Sequence, residues 1–193
     1  MTTAITRCSW CGDDPLYIAY HDTEWGLPQY DSRILFEFLL LEGAQAGLSW
    51  ITVLRKRENY RQALHQFDPE KIARYTRRDV ERLLGNPGII RNRLKVESAI
   101  NNARRFLEIE ESGRNFSDYL WSFVDGKPVQ NRFRTMKDIP ATSPASDRMS
   151  KVLKKDGFNF VGSTICYAHM QATGMVNDHI VGCHRYKACQ KNA

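Results

Sequence analysis

Apolar residues recur along this chain at helical rather than strand spacing. Reading from Asp31-Ser32, the positions Leu35, Phe38, Leu39, Glu42 and Ala46 fall at i, i+3, i+4, i+7 and i+11, one face of an α-helix. Ser49 is placed to cap a second helix carrying Trp50, Val53 and Leu54. Asp68-Pro69 reads as an N-cap followed by proline at the first helical position. Thr76, with Asp79 three residues on, opens a short helix through Leu84 that Gly85 ends. A long amphipathic stretch over about 91–112 turns Leu94, Ile100, Ala103, Phe106 and Leu107 inward, and another helix covers about 117–124. Ser143-Pro144 starts a helix that runs to Asp156 and stops at Gly157. Ser163 or Thr164 starts one that runs to Thr173 and stops at Gly174. Residues 125–146, with Gly126, Pro128, Pro140 and Pro144, read as a long loop, either a lobe boundary or a surface excursion. Alternating β-branched runs and internal repeats are absent, so the expected fold is all-α, one domain of many short helices over 1–193.

Glu42 breaks its own stripe. A carboxylate on a core-facing stripe is costly unless something pairs with it. Tyr17, Tyr20, Trp25 and Trp50 lie near it in sequence. An acid buried among aromatic rings suits a flat ligand that is cationic or carries N–H groups. The alternatives are that Glu42 reaches solvent at the helix end or pairs with a core arginine.

The composition narrows the setting. The chain has 193 residues, 42% of them hydrophobic, and a formal charge of +6, which leans towards a polyanionic partner. Neither a leader-like segment nor an apolar run long enough to span a bilayer is present, so a soluble, intracellular protein is expected. Five cysteines in such a chain point to thiols or metal ligands rather than a disulfide framework. His179 and Cys183 are spaced one helical turn apart, and Cys8 and His21 are joined by a loop long enough to fold round an ion. Together they form a Cys2His2 set, an ordinary tetrahedral zinc arrangement that would staple the two ends of the chain and leave no open position for water. On spacing alone Cys11, His184 and Cys189 remain alternative ligands, whereas His65 and His169 read as ordinary core or surface residues. A zinc deaminase is disfavoured, because His21-Asp22-Thr23-Glu24 lacks the His-x-Glu spacing.

Residues 83–93 join two expected helices through a tight turn, Gly85-Asn86-Pro87-Gly88-Ile89-Ile90. Pro87 fixes φ, and Gly88 permits a conformation closed to other residues. The free amides of the following helix can hold an anion, with Arg91, Arg93 and Lys95 beside them. The pattern looks like a helix-hairpin-helix, although Ile90 stands where many such hairpins have a second glycine. An ordinary αα-hairpin is the plainer alternative.

These residues lie within longer strings. The run from Asp14 through Pro15, Leu16 and Tyr17 to Trp25-Gly26, the run from Leu41-Glu42-Gly43 to Ser49-Trp50, and the segments 88–93, 160–167 and 176–183 closely resemble bacterial 3-methyladenine DNA glycosylase I, the Tag family. The resemblance is collinear over nearly the whole chain. It implies a helix-hairpin-helix glycosylase fold of two helical lobes around a cleft, with the hairpin near 83–96. It also implies one structural zinc at Cys8, His21, His179 and Cys183, and leaves Cys11 outside the ligand set.

The implied base pocket holds Glu42, Tyr17, Tyr20 and Trp50, with Trp10 and Trp25 as walls, and the implied DNA contacts are Gly88, Ile90, Arg91 and Arg93. The implied activity is hydrolytic release of N3-methyladenine from alkylated double-stranded DNA by a cytoplasmic monomer, with N3-methylguanine left open. Asn177 stands where many superfamily members carry an essential aspartate, and no lysine there is placed as a Schiff-base nucleophile, so the implied glycosylase is monofunctional. The competing expectations are a damage reader that does not cut, a glycosylase of wider scope, and a plain helical interaction domain.

Overall fold

The computed structural model describes residues 5–191. Eleven α-helices are formed within them: α1 (Pro15–Thr23), α2 (Ser32–Gln45), α3 (Trp50–Leu54), α4 (Arg57–Ala63), α5 (Pro69–Ala73), α6 (Arg77–Leu84), α7 (Arg93–Glu111), α8 (Phe116–Trp121), α9 (Pro144–Lys155), α10 (Ser163–Ala172) and α11 (His184–Lys191). The only β-structure among the described residues is a parallel pair of two-residue strands, β1 (Val129–Gln130) and β2 (Val176–Asn177). The helical expectation therefore stands, with this small ladder added.

The centre of the molecule is α2. The Asp31 carboxylate accepts from the amides of Arg33 and Ile34 and starts it. Every residue from Leu35 to Ala44 is buried, so α2 is covered on all sides by α3, α7, α8 and α10 rather than along one stripe. Phe36 packs against Phe106 of α7 and Phe116 of α8, with ring centroids 5.1 and 6.4 Å away. Gly174, at φ +70°, closes α10, and a Cβ there would lie 2.3 Å from the Leu27 carbonyl carbon. Only glycine lets α10 seat against the segment leading to α2.

Several expectations are corrected. α7 begins at Arg93, where the Asn92 side chain accepts from the Lys95 amide, and Leu94 is 67% exposed instead of inward. Ala46 lies past the end of α2. Ser49 holds the N-cap position of α3, but its hydroxyl pairs with that of Thr52, 2.8 Å away, rather than with a backbone amide. Residues 125–146 are not only an excursion: β1 joins them to β2, and Met136 and Ile139 pack on the core.

Candidate active site and metal centre

Two glutamates of α2 are buried, and their surroundings differ. Glu37 accepts from Arg57 at 2.6 Å and from Arg61 at 2.9 Å. Glu42, 4% exposed, has no hydrogen-bond or ion-pair partner among the described residues, and burial pushes its carboxyl up to about 8. It neither reaches solvent nor pairs with an arginine. Instead it faces a cavity of about 260 Å³ that Trp10, Tyr17, Tyr20, Trp25 and Trp50 also line. All six residues assigned to a base pocket therefore come together.

Trp10 is set edge to face against Tyr17 at 4.8 Å and Trp25 at 5.0 Å, and Tyr20 lies tilted against Trp50 at 5.5 Å. The Trp10 and Trp50 indole N–H groups and the Tyr20 hydroxyl are buried without a partner among the described residues. Such groups are costly unless a ligand meets them. Burial also pushes the Tyr17 hydroxyl up to about 12.

The sequence reading missed Gln45, Met136, Ile139, Ala168 and Gln171, which complete the lining. Gln45 lies three residues beyond Glu42 on α2, the one positional signal available.

Directly behind this wall, Cys8, His21, His179 and Cys183 are buried with their ligand atoms within 4.8 Å of one another. The Cys8 sulfur lies 3.6 Å from His179 Nδ1, and the Cys183 sulfur lies 3.5 Å from both His179 Nδ1 and His21 Nε2. A tetrahedral zinc with ordinary bond lengths has S···N edges of about 3.6 Å, so the donor set fits that ion.

The outer ring nitrogens agree. His21 Nδ1 donates to Asp22 at 2.7 Å and His179 Nε2 donates to the Trp25 carbonyl at 3.0 Å, which turns the opposite nitrogen of each ring towards the sulfurs as a lone pair. Asp22 is partly desolvated, but hydrogen bonds from Arg7 and His21 bring its carboxyl down to about 2. Gly26 is required here, because a Cβ would meet His179 Nε2 at 3.0 Å. Cys11 donates to the Cys8 carbonyl, and neither it nor His184 nor Cys189 joins the group. His179 and Cys183 sit on a turn before α11, not on a helix.

The hairpin is α6, the turn 85–92 and α7, and two of its expected features change. Gly88 does not have positive φ; it is needed for space, since a Cβ would lie 3.0 Å from Asn59 Cβ. The Gly88 and Ile90 amides are already committed, to Asn86 Oδ1 at 2.8 Å and the Tyr60 hydroxyl at 3.1 Å. Arg93 pairs with Glu81 at 2.8 Å, whereas Arg91 is exposed and has no partner among the described residues. Lys95 turns inward and donates to the carbonyls of Ala44 and Ala46 at 2.8 and 2.6 Å, tying the hairpin to the end of the helix that carries Glu42.

Asn177 is buried, with its amide spent on Gln130 and the Tyr186 carbonyl, so it supplies no reactive group.

Comparison with known proteins agrees with this geometry. The sequence pattern of the methyladenine glycosylase family matches residues 10–186. DNA-3-methyladenine glycosylase 1 of Escherichia coli (strain K12) is 58% identical over 180 residues, covering 93% of this chain and 96% of that protein. A crystal structure of 3-methyladenine DNA glycosylase I superposes with a TM-score of 0.92 at 60% identity, over 93% of this chain and 98% of the other. The Staphylococcus aureus enzyme, solved for the basis of its 3-methyladenine recognition, gives 0.90 at 39% identity, over 94% and 97%. With sequence and fold alike over nearly its full length, the chain belongs to the methyladenine glycosylase family.

Proposed function

We propose that the chain is a monofunctional DNA glycosylase, a single domain over 1–193, that excises N3-methyladenine from alkylated double-stranded DNA and so begins base excision repair. The observation that carries the reading is the buried, unpartnered Glu42 in a pocket of five aromatic side chains. A methylated adenine is flipped out of the stack, because its glycosidic bond is inaccessible inside the duplex. The aromatic rings take its faces, with attraction raised by its positive charge. Glu42 accepts from the exocyclic amine and favours the cationic base over ordinary adenine. Water then adds to C1′, the bond to the base breaks, its electron pair neutralises the purine, and a water proton goes to solvent. A cation departing as a neutral molecule is a good leaving group, so recognition and preorganisation suffice without a strong base at Asn177.

In the same reading the cluster of Cys8, His21, His179 and Cys183 holds one structural zinc. The segment 83–96 is a helix-hairpin-helix that grips a DNA phosphate with Arg91 as its free cation. Two helical lobes flank the cleft, and the protein acts as a cytoplasmic monomer. Its termini-joining metal supplies rigidity, not chemistry, since four protein ligands leave no position for water.

The test is release of free base from methylated duplex DNA, resolved by chromatography, for wild type beside Glu42→Gln. Wild type frees 3-methyladenine and leaves 7-methylguanine in place, with 3-methylguanine scored in the same run. Glu42→Gln falls by roughly 10- to 100-fold, the weight of one charge-assisted hydrogen bond. Binding to methylated DNA without base release would make the chain a damage reader instead.

A further inference from the structure

Gln171 is one of two polar pocket residues, with Gln45, that neither the sequence reading nor the proposed mechanism uses, and it is the one held by a buried carboxylate. It sits near the end of α10, half-buried, on the cavity wall. Its Nε2 donates to Asp178 Oδ2 at 2.8 Å. Asp178 is fully buried and also accepts from the Tyr167 hydroxyl at 2.7 Å and from Asn131 Nδ2 at 2.6 Å. A carboxylate collecting three donors in the interior is a fixed acceptor. It therefore dictates which way the Gln171 amide faces. The nitrogen must point at Asp178, because the reverse orientation would set the amide oxygen against the carboxylate. That leaves Gln171 Oε1 without a partner among the described residues, on a side chain that lines the cavity.

From this arrangement we propose that Gln171 is a specificity-determining residue, its amide oxygen the second acceptor for the exocyclic amine of the bound base, and that Asp178 is the positioning residue that holds it in that sense. An exocyclic amine has two N–H groups. Glu42 takes one and Gln171 the other. A purine with a carbonyl at that position presents an acceptor to two acceptors and is rejected, with no steric exclusion required. The charge of Glu42 selects for a cationic base, and the Glu42–Gln171 pair selects for adenine over guanine. The inference rests on the glycosylase reading above and adds to it the group that reads the amine. It also gives Asp178 a role that does not involve the reacting bond.

The experiment compares two free bases that differ only in that amine, 3-methyladenine and 3-methylpurine. Binding is followed by quenching of the pocket tryptophans, in wild type, Gln171→Leu, Asp178→Asn and the double variant. Gln171→Leu keeps the volume and removes the acceptor. The preference for 3-methyladenine over 3-methylpurine then shrinks about tenfold, with little change for 3-methylpurine itself. Asp178→Asn, able to donate to Oε1, turns the amide round and gives the same loss, and the double variant adds nothing further.

Thermal melting and metal content of each variant separate this from a general loosening, which would weaken both bases equally. If Asp178→Asn does not fold, Gln171→Leu alone decides. Equal weakening of both ligands, or an unchanged preference in Gln171→Leu, overturns the proposal. Base release by wild type is run beside it: release with no effect of Gln171 sinks this inference alone, and no release sinks the glycosylase reading itself.

Discussion

Glu42 costs the folded state something, and the cost depends on pH. Its carboxyl titrates near 8 in the pocket because burial disfavours the anion. The unfolded chain ionises it in the ordinary range, so the folded state binds the extra proton between the two values. Stability is therefore retained below the unfolded pKa and lost as pH rises through about 8, at roughly 1.4 kcal/mol for each unit of displacement. Glu42→Gln removes that term. In urea titrations the variant is expected to match wild type near pH 4 and to exceed it by a few kcal/mol near pH 9; parallel profiles would contradict the burial argument. On the proposed reading function runs the other way: base release needs the anion, so kcat/KM is expected to climb about tenfold per pH unit and level above 8, a slope Glu42→Gln lacks. Glu42 was legible in the sequence because a carboxylate breaks an apolar stripe. Gln171 was not: an uncharged polar residue near a helix end breaks no rule, and only its contact with Asp178 marks it out.

Among the elements, α6, the turn after it and α7 were legible from punctuation. Thr76 and Asp79 form the capping box that opens α6, and Asn92 caps α7. What the sequence could not reveal is which of their polar groups are already taken. Of the three cations beside the turn, Arg93 is paired with Glu81 and Lys95 is turned into the protein, so Arg91 carries the exposed charge there. Arg91→Ala is expected to weaken binding to undamaged duplex and to lower the slope of log affinity against log salt by about one, with a smaller change for Arg93→Ala. Equal slopes for the two variants would remove Arg91 from the contact. α1, α4 and α11 were missed because each is too mixed in character to show a clean period, and the Asp14-Pro15 start signal of α1 went unread although it matches that of α5. The end of α10 offers a cleaner test of packing. Gly174→Ala forces a methyl against the Leu27 backbone and should cost about 3 kcal/mol or more, whereas Gly126→Ala, at φ +72° in open space, should cost about 1 kcal/mol. Similar losses at the two sites would mean that backbone strain alone, not contact, sets the penalty.

At the scale of the whole molecule, the Cys/His cluster and the aromatic pocket are one construction. Cys8 and His179 are 171 residues apart in sequence, and Cys183 and His21 are 162 apart, so the ligands close the chain on itself. Trp10 follows Cys8 by two positions, Tyr20 precedes His21, and the Trp25 carbonyl accepts from His179. The four residues could be proposed from residue type and spacing, but this adjacency could not, because it depends on how α1 meets the turn that precedes α11. It follows that losing the metal should damage recognition as well as stability. Zinc released by a thiol-blocking reagent and read with a metal-sensitive dye is expected at one ion per chain. The metal-depleted protein is expected to melt at a lower temperature, since four uncompensated ligands and the closure of a long loop are lost together. Before it melts, Trp10 and Trp25 lose the histidines behind them, so quenching by 3-methyladenine weakens at temperatures where the helical signal is intact. If depletion lowers melting but leaves that quenching untouched, the metal is a staple for the termini alone and the pocket stands without it. If melting is unchanged too, the four residues hold no ion that matters to the fold.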